Sequence, residues 1–371
     1  MPARRADKTA AAAASLEAVA PARASVALAP AAGGRKLTLL DVAQALGVSR
    51  TTISNAFNRP DKLSAALRDE VIRKSRELGY FGPDPAARAM RRTGVHEVAV
   101  IFHHDLVHSL SDPPSVEFLR GVAHELDSRH ISLQLIPRMG RRLDLAAAFQ
   151  TTADALIVYA EVESELATEV QALRMPVVLV DAHLAGVTTV ANRDRDGAET
   201  AMAHALAARP DRVVVLSFPL DGPTRQRLMA GKVPAARCPS VGGERGAGCL
   251  AALKHAGFPA ERVTWLEIDG RHPESAAELV ARQRSLFGPG CRAALVAMSD
   301  RMALAAMPVM RAWRGVQLVA AVGFDDIEAA NRAGLTTVRQ DAMRKGELAV
   351  RALLDGERPD PLPLSLVRRQ T

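Results

Sequence analysis

Cysteine is scarce. The chain of 371 residues has three, Cys238, Cys249 and Cys291, with no C-x-x-C spacing. An odd, scattered set fits neither a disulfide framework nor a zinc site and reads as reduced thiols of a cytosolic protein. Long apolar runs are missing too. Even the alanine-rich start is broken by Glu17, Pro21 and Arg23, so no stretch reaches the roughly eighteen residues that a membrane helix needs. Also absent are a G-x-G-x-x-G after the first apolar strand, a Walker loop, a G-x-S-x-G elbow and an H-E-x-x-H pair. These gaps remove the usual signatures of dinucleotide, nucleotide, acyl-transfer and metallopeptidase chemistry, so no catalytic residue, metal or cofactor is expected. What the chain does have is 48% apolar residues. At about 150 residues per domain, that is enough for two or three units with cores of their own.

The charge is unevenly divided. Of 48 Lys/Arg and 41 Asp/Glu, residues 1–92 hold sixteen and eight, leaving 32 and 33 for the remainder. The first quarter is therefore +8 and the rest −1. Such asymmetry suggests a polyanion-binding head on a near-neutral body, the alternative being a merely solvated basic face.

Residues 1–35 are rich in Ala, Pro and Arg and poor in large apolar groups. Burial cannot offset the entropy cost of ordering such a segment, so a disordered tail is expected there rather than a signal peptide. From residue 36 to 82 the pattern is three short helices. Thr38 is placed to cap the first, with Asp41 reaching back, and Leu39, Val42, Ala43 and Leu46 share one face. Gly47 ends it. Ser49 then caps a second helix, Arg50 to Asn58, which turns Ile53, Ala56 and Phe57 inward and leaves Arg50, Thr51, Thr52 and Asn55 outside. Two helices joined by a short glycine turn make a helix-turn-helix. A third helix begins near Ser64, with Leu67, Val71, Ile72 and Leu78 as its buried stripe, and stops at Gly79.

Residues 83–96 form a linker in which Asp84 and Pro85 open a short helix through Arg92, too short to be stable alone. Beyond it, in residues 97–371, apolar runs at 98–102, 131–136, 155–159, 177–180, 212–216, 263–268, 293–298 and 318–322 alternate with helical patterns. The latter include 116–128, 163–173, 197–208, 274–287 and 300–311. This alternation predicts parallel sheets with helices on both faces and ligands beyond the carboxyl ends of the strands. Residues 217–243, rich in Pro and Gly, read as a long loop.

Leu37 to Ala43, Val48 to Asn58, Leu78-Gly79-Tyr80 and Pro85 to Met90 resemble the head and hinge of the lactose-repressor (LacI/GalR) family of bacterial transcription regulators. Phe118 to Val122, Pro176 to Asp181, Arg245-x-x-Gly248, Ser299 to Leu304, Gly323 to Asp326 and Leu335 to Gln340 extend the resemblance, in order, over residues 36–370. It implies an all-α helix-turn-helix head plus an α/β periplasmic-binding-protein-like core of two doubly wound parallel-sheet subdomains. By matching, one lobe takes about 97–191 plus 340–358 and the other about 192–339 plus 359–371, with the effector between them.

The resemblance assigns base contacts to Arg50, Thr51 and Asn55. Their chemistry agrees, since an arginine fork suits guanine, an asparagine amide suits adenine and a threonine suits the thymine methyl. Thr38, Ser49 and Thr52 suit phosphate, which positions without specifying. In the hinge, Met90 stands where the family has a leucine wedge for the minor groove, and Arg88, Arg91 and Arg92 would follow phosphates. The alternative for Met90 is packing against the partner hinge helix. For the cleft, the strand ends offer His103, His104, Asp181, Ser299, Asp300 and Asp325, and Arg245 opens its helix. Carboxylates with an arginine suit sugar hydroxyls. For Asp181 and Asp300 the plainer role is capping or inter-lobe structure. Two adjacent histidines on an extended segment point apart, which argues against a metal. Ser299 replaces a customary asparagine, and the stretches 103–115 and 190–194 also depart from the family pattern. Those departures leave the effector unnamed.

The expectation is a non-enzymatic, homodimeric transcriptional regulator, a repressor, acting in the cytoplasm on nucleoid DNA. It would bind a pseudopalindromic double-stranded operator under control of a small molecule of the carbohydrate kind, with no membrane partner. The end of the chain lacks the leucine heptads of a tetramerising tail. The competing readings are an exported solute-binding protein and an enzyme on the same α/β core.

Overall fold

The computed structural model describes residues 37–58, 62–78, 80, 94–102, 104–137, 145, 148, 151–159, 169–170, 173, 175–232, 238, 240–270 and 272–371. Two compact units result, residues 1–92 and 93–371. The tail and the expected hinge helix lie outside the described residues, as does most of the helix expected at 163–173.

In the first unit, helix α1 (Leu39–Leu46) opens with the expected capping box: the Thr38 amide donates to the Asp41 carboxylate at 2.8 Å and the Asp41 amide to the Thr38 hydroxyl at 3.3 Å. Gly47, at φ +66°, takes the left-handed turn that ends it. The Ser49 hydroxyl accepts from the Thr52 amide at 3.0 Å and starts α2 (Arg50–Asn58), and Ser64 caps α3 (Ala65–Glu77). Val42, Ala43, Ile53, Ala56, Val71 and Tyr80 form the small core, with the Phe57 ring edge-on to Tyr80 at 5.6 Å. Leu67 departs from the expected stripe. It is 39% exposed, because Val71 and Ser75, one turn apart, supply the buried face of α3 instead.

The second unit carries two sheets. The first joins β1 (Glu97–Phe102), β2 (Ser132–Ile136), β3 (Ala155–Tyr159), β4 (Val177–Val180) and β5 (Thr188–Val190), all parallel, in the order β2-β1-β3-β4-β5. The second joins β6 (Arg212–Ser217), β7 (Val263–Glu267), β8 (Cys291–Ala297), β9 (Val316–Asp325), β10 (Thr336–Arg339) and β11 (Ser365–Val367), in the order β11-β10-β9-β8-β6-β7. Only β11 runs antiparallel. Each sheet has an apolar cluster on both faces, which is why its strands read as unbroken apolar runs.

The helices in order are α4 (Leu106–Ser109), α5 (Pro113–Ser128), α6 (Asp194–Ala207), α7 (Gly222–Met229), α8 (Val241–His255), α9 (Ser275–Ala281), α10 (Asp300–Arg311), α11 (Glu328–Arg332) and α12 (Ala342–Asp355). Three expectations are corrected. The stretch 217–243 is not one loop, since Asp221 caps α7 within it and Ser240 caps α8. Arg245 therefore lies in the second turn of its helix rather than at its start. The helix expected over 274–287 ends at Ala281 and gives way to a single 3-10 turn at Arg284–Leu286.

The chain passes between the sheets three times: after β5, after β10 and after α12. These crossovers are tied together. Asn192 bridges to Leu362 in parallel, the Leu362 amide donates to Ala191 at 2.8 Å, and Asn192 Nδ2 donates to Gln340 Oε1 at 2.8 Å. After the second crossover α12 packs on α5 of the first lobe. The two backbones are so close that a Cβ at Gly346 would meet the Phe118 carbonyl oxygen at 2.1 Å.

Candidate DNA-reading face and inter-lobe cleft

On α2, Arg50 and Thr51 are exposed and Thr52 and Asn55 partly so. One turn separates Thr51 from Asn55, so the row lies along one side of the helix. The hydroxyls of Thr38, Ser49 and Thr52 are engaged locally. Thr38 Oγ1 is 2.7 Å from Asp41 Oδ2, and Ser49 Oγ is 2.8 Å from Thr52 Oγ1. These three residues thus orient the helix starts, while Arg50 projects without a cap to hold it. Arg88, Met90, Arg91 and Arg92 lie outside the described residues.

The second candidate site lies between the lobes, at the carboxyl ends of the strands. Asp181, ending β4 in a left-handed conformation at φ +57°, faces Lys345 of α12. Lys345 is 0% exposed, and its Nζ donates to both Asp181 oxygens, at 2.7 and 3.0 Å, and to Gln340 Oε1 at 3.2 Å. Gln340 Nε2 donates in turn to Asp325 Oδ1 at 2.6 Å. Burial pushes the Asp325 carboxyl well above the usual range, while Arg245, 4.0 Å away, pulls the other way. Arg245 itself is buried. Its Nε donates to Asp194 Oδ1 at 2.8 Å, its Nη1 to the Met298 carbonyl, and its guanidinium carbon sits 3.4 Å from the Phe324 ring centroid. Buried charges survive only when paired and hydrogen-bonded, and this chain of contacts satisfies each of them in turn.

Two expected effector residues also make bonds within the fold. Ser299 caps α10 through the Met302 amide at 3.3 Å. Asp300 is 0% exposed; its oxygens accept from the Thr337 hydroxyl at 2.5 Å and the Ile327 amide at 2.9 Å, and burial raises its carboxyl to about 6. Gly323 beside it is obligatory, since a Cβ there would lie 2.0 Å from Asp300 Oδ1. Both Asp300 oxygens thus hold the second lobe's own strands and loops together. His104 is partly exposed beside His108, and His103 lies outside the described residues. Asp181, His183, Asp194, Ser240 and Glu244 are among the residues lining a cavity of about 10 Å³. Among the described residues no three His, Cys, Asp or Glu side chains are grouped to hold a metal, and no helix is long and apolar enough to cross a membrane.

Residues 38–82 match the model of bacterial regulatory proteins of the lacI family, and residues 229–371 match that of the periplasmic-binding-protein-like domain. The HTH-type transcriptional regulator Rv3575c of Mycobacterium tuberculosis is 33% identical over 352 residues, spanning 91% of this chain and 97% of its own. This chain belongs to the LacI family. It is a DNA-binding transcriptional regulator with a periplasmic-binding-protein-like core. The LacI fold extends through the whole match. A Lac repressor dimer bound to operator and the anti-inducer ONPF aligns at a TM-score of 0.67 and 22% identity, covering 91% of this chain and 99% of that one. The regulator CelR in complex with cellobiose aligns at 0.57 and 23%, covering 90% and 99%.

Sequence reasoning missed several cleft residues of this LacI-family chain. Lys345 carries no local signal, because its partner Asp181 is 164 positions away. Asp194 and Gln340 were inside noted segments yet unassigned, and the inter-lobe pair of Asp112 with Arg301, 3.4 Å apart, has no motif of its own.

Proposed function

We propose that the chain is a homodimeric repressor of a pseudopalindromic operator, with a sugar or related metabolite between the lobes setting operator affinity. It is not an enzyme, and it works in the cytoplasm on nucleoid DNA. The observation that carries the reading is the row of Arg50, Thr51 and Asn55 on a helix whose start is fixed by Ser49. A helix held this way can enter the major groove and present side chains to base edges. In this reading Arg50 takes guanine, Asn55 adenine and Thr51 a thymine methyl, while Thr38, Ser49 and Thr52 face phosphates. The unit of 36–82 reads DNA, 83–96 is the hinge and 97–371 the effector core. Within the hinge, Met90 wedges into the minor groove and Arg88, Arg91 and Arg92 follow the backbone.

The cleft supports a neutral polyhydroxylated ligand. Asp181 is neutralised by Lys345, Asp194 by Arg245 and Glu244 by Arg195, so the site offers fixed donors and acceptors without net charge. Asp181, Arg245 and Asp325 are the proposed contacts, with His104 and His103 as further candidates. The cellobiose held by CelR is a ligand of that chemistry. An effector acts only by binding one lobe arrangement better than another. The test is to map the protein's binding sites on its host genome and to titrate the operator complex with sugars used by the neighbouring genes. Saturable change in operator affinity without turnover supports the reading. Sites scattered without a shared inverted repeat would refute it.

A further inference from the structure

The cleft is bridged at its mouth as well as at its hinge, and the bridge is made by the protein's own side chains. In the first lobe the segment after β1 carries His104 and then His108 on α4, their rings edge-to-face at 4.6 Å, and Asp112 caps α5. In the second lobe α10 carries Arg301, and the turn after β7 carries Gly270. Arg301 Nη1 lies 3.4 Å from Asp112 Oδ1, with the two side chains 29% and 22% exposed. Gly270 lies beside His104, so that a Cβ there would be in ordinary van der Waals contact with its Nε2, at 3.6 Å.

We infer that the Arg301–Asp112 pair, with His104 seated against Gly270, is a latch that holds the two lobes together across the cleft, so that ligand enters only while the latch is open. Its components suit release. Asp112 keeps its capping bond to the Ser115 amide, 3.3 Å, whether or not Arg301 is present, so opening breaks no helix. A partly exposed ion pair as long as 3.4 Å is also weak enough for the open arrangement to be populated without ligand. The latch belongs to the core alone and depends on the proposed function only for what passes through it.

Hydrogen exchange of the intact, ligand-free protein tests this. Arg301→Ala and Asp112→Asn, the latter retaining a capping oxygen, should each speed exchange of the amides at 104–111 and 182–184 about two- to fivefold. The sheet strands and the head should be unchanged. The double variant should be no faster than either single one, and Arg301→Lys should keep part of the protection. Faster exchange confined to the first turn of α10, or additive effects in the double variant, would overturn the latch. Neither result depends on DNA binding, so failure of the repressor reading would be seen separately, as loss of site preference with the exchange pattern intact.

Discussion

The head and the inter-lobe cleft place their polar side chains in opposite circumstances. On α2, Arg50 and Thr51 stand in solvent and the capping hydroxyls bind only within their own helix starts. In the cleft, Lys345, Asp181, Gln340, Asp325, Arg245 and Asp194 are joined to one another across two lobes. The head is thus built to read something outside itself with little internal rearrangement. In the proposed reading, ligand enters the cleft by exchanging with these internal partners.

The comparison can be broken by substitution. The largest loss is expected from Gly346→Ala. The new Cβ would press on the Phe118 carbonyl at 2.1 Å, and forcing α5 and α12 apart should cost on the order of 3 kcal/mol of core stability in urea unfolding. Lys345→Met should come next. It leaves the Asp181 carboxylate buried without its cation, a loss of about 3 kcal/mol that adding Asp181→Asn should partly restore. Arg50→Ala should leave both units as stable as before and weaken operator binding by about 1 to 3 kcal/mol, relaxing preference at one base of each half-site. Equal losses of stability in head and cleft variants would erase the contrast.

The smallest effect concerns pH. Desolvation at the mouth holds His108 below its usual value of 6.5, with Arg301 adding to the lowering and Asp112, Asp105 and Asp269 opposing it; His104 packs against its ring. The folded core binds this proton less readily than the unfolded chain. Its contribution is therefore complete above about pH 6.5 and is lost as the pH falls below that value. Urea midpoints of the wild type should drop between pH 7.5 and 5.5 by more than those of His108→Gln. Equal drops would show that the mouth does not disfavour the charged ring.

Legibility in the sequence followed the range of the interactions. The head was readable almost entirely, because Thr38 with Asp41, Gly47, Ser49 and Ser64 act within four residues of the groups they cap. Leu67 misled, since an apolar residue near a helix start can stay outside. The long apolar strands were readable too. The edge strands Thr188–Val190 and Ser365–Val367 and the short β10 were not, being brief and rich in Thr or Ser. Helix α7 was hidden by its polarity, although Asp221 followed by Pro223 is a helix-start signal. In the cleft, Asp181, Arg245 and Asp325 were legible through the resemblance. Lys345 was not, because a lysine among the alternating residues of an amphipathic helix ordinarily points to water, and only the fold brings Asp181 to it.

The central claim is that the exposed row on α2 reads duplex DNA as half of a symmetric pair. The most direct test is selection by the intact protein from a pool of random duplexes at moderate ionic strength, run beside Arg50→Ala. The account predicts an enriched sequence of two inverted half-sites, with one base per half losing its preference in the variant. A pool no more enriched than unselected competitor, or identical enriched sequences from both proteins, would contradict it.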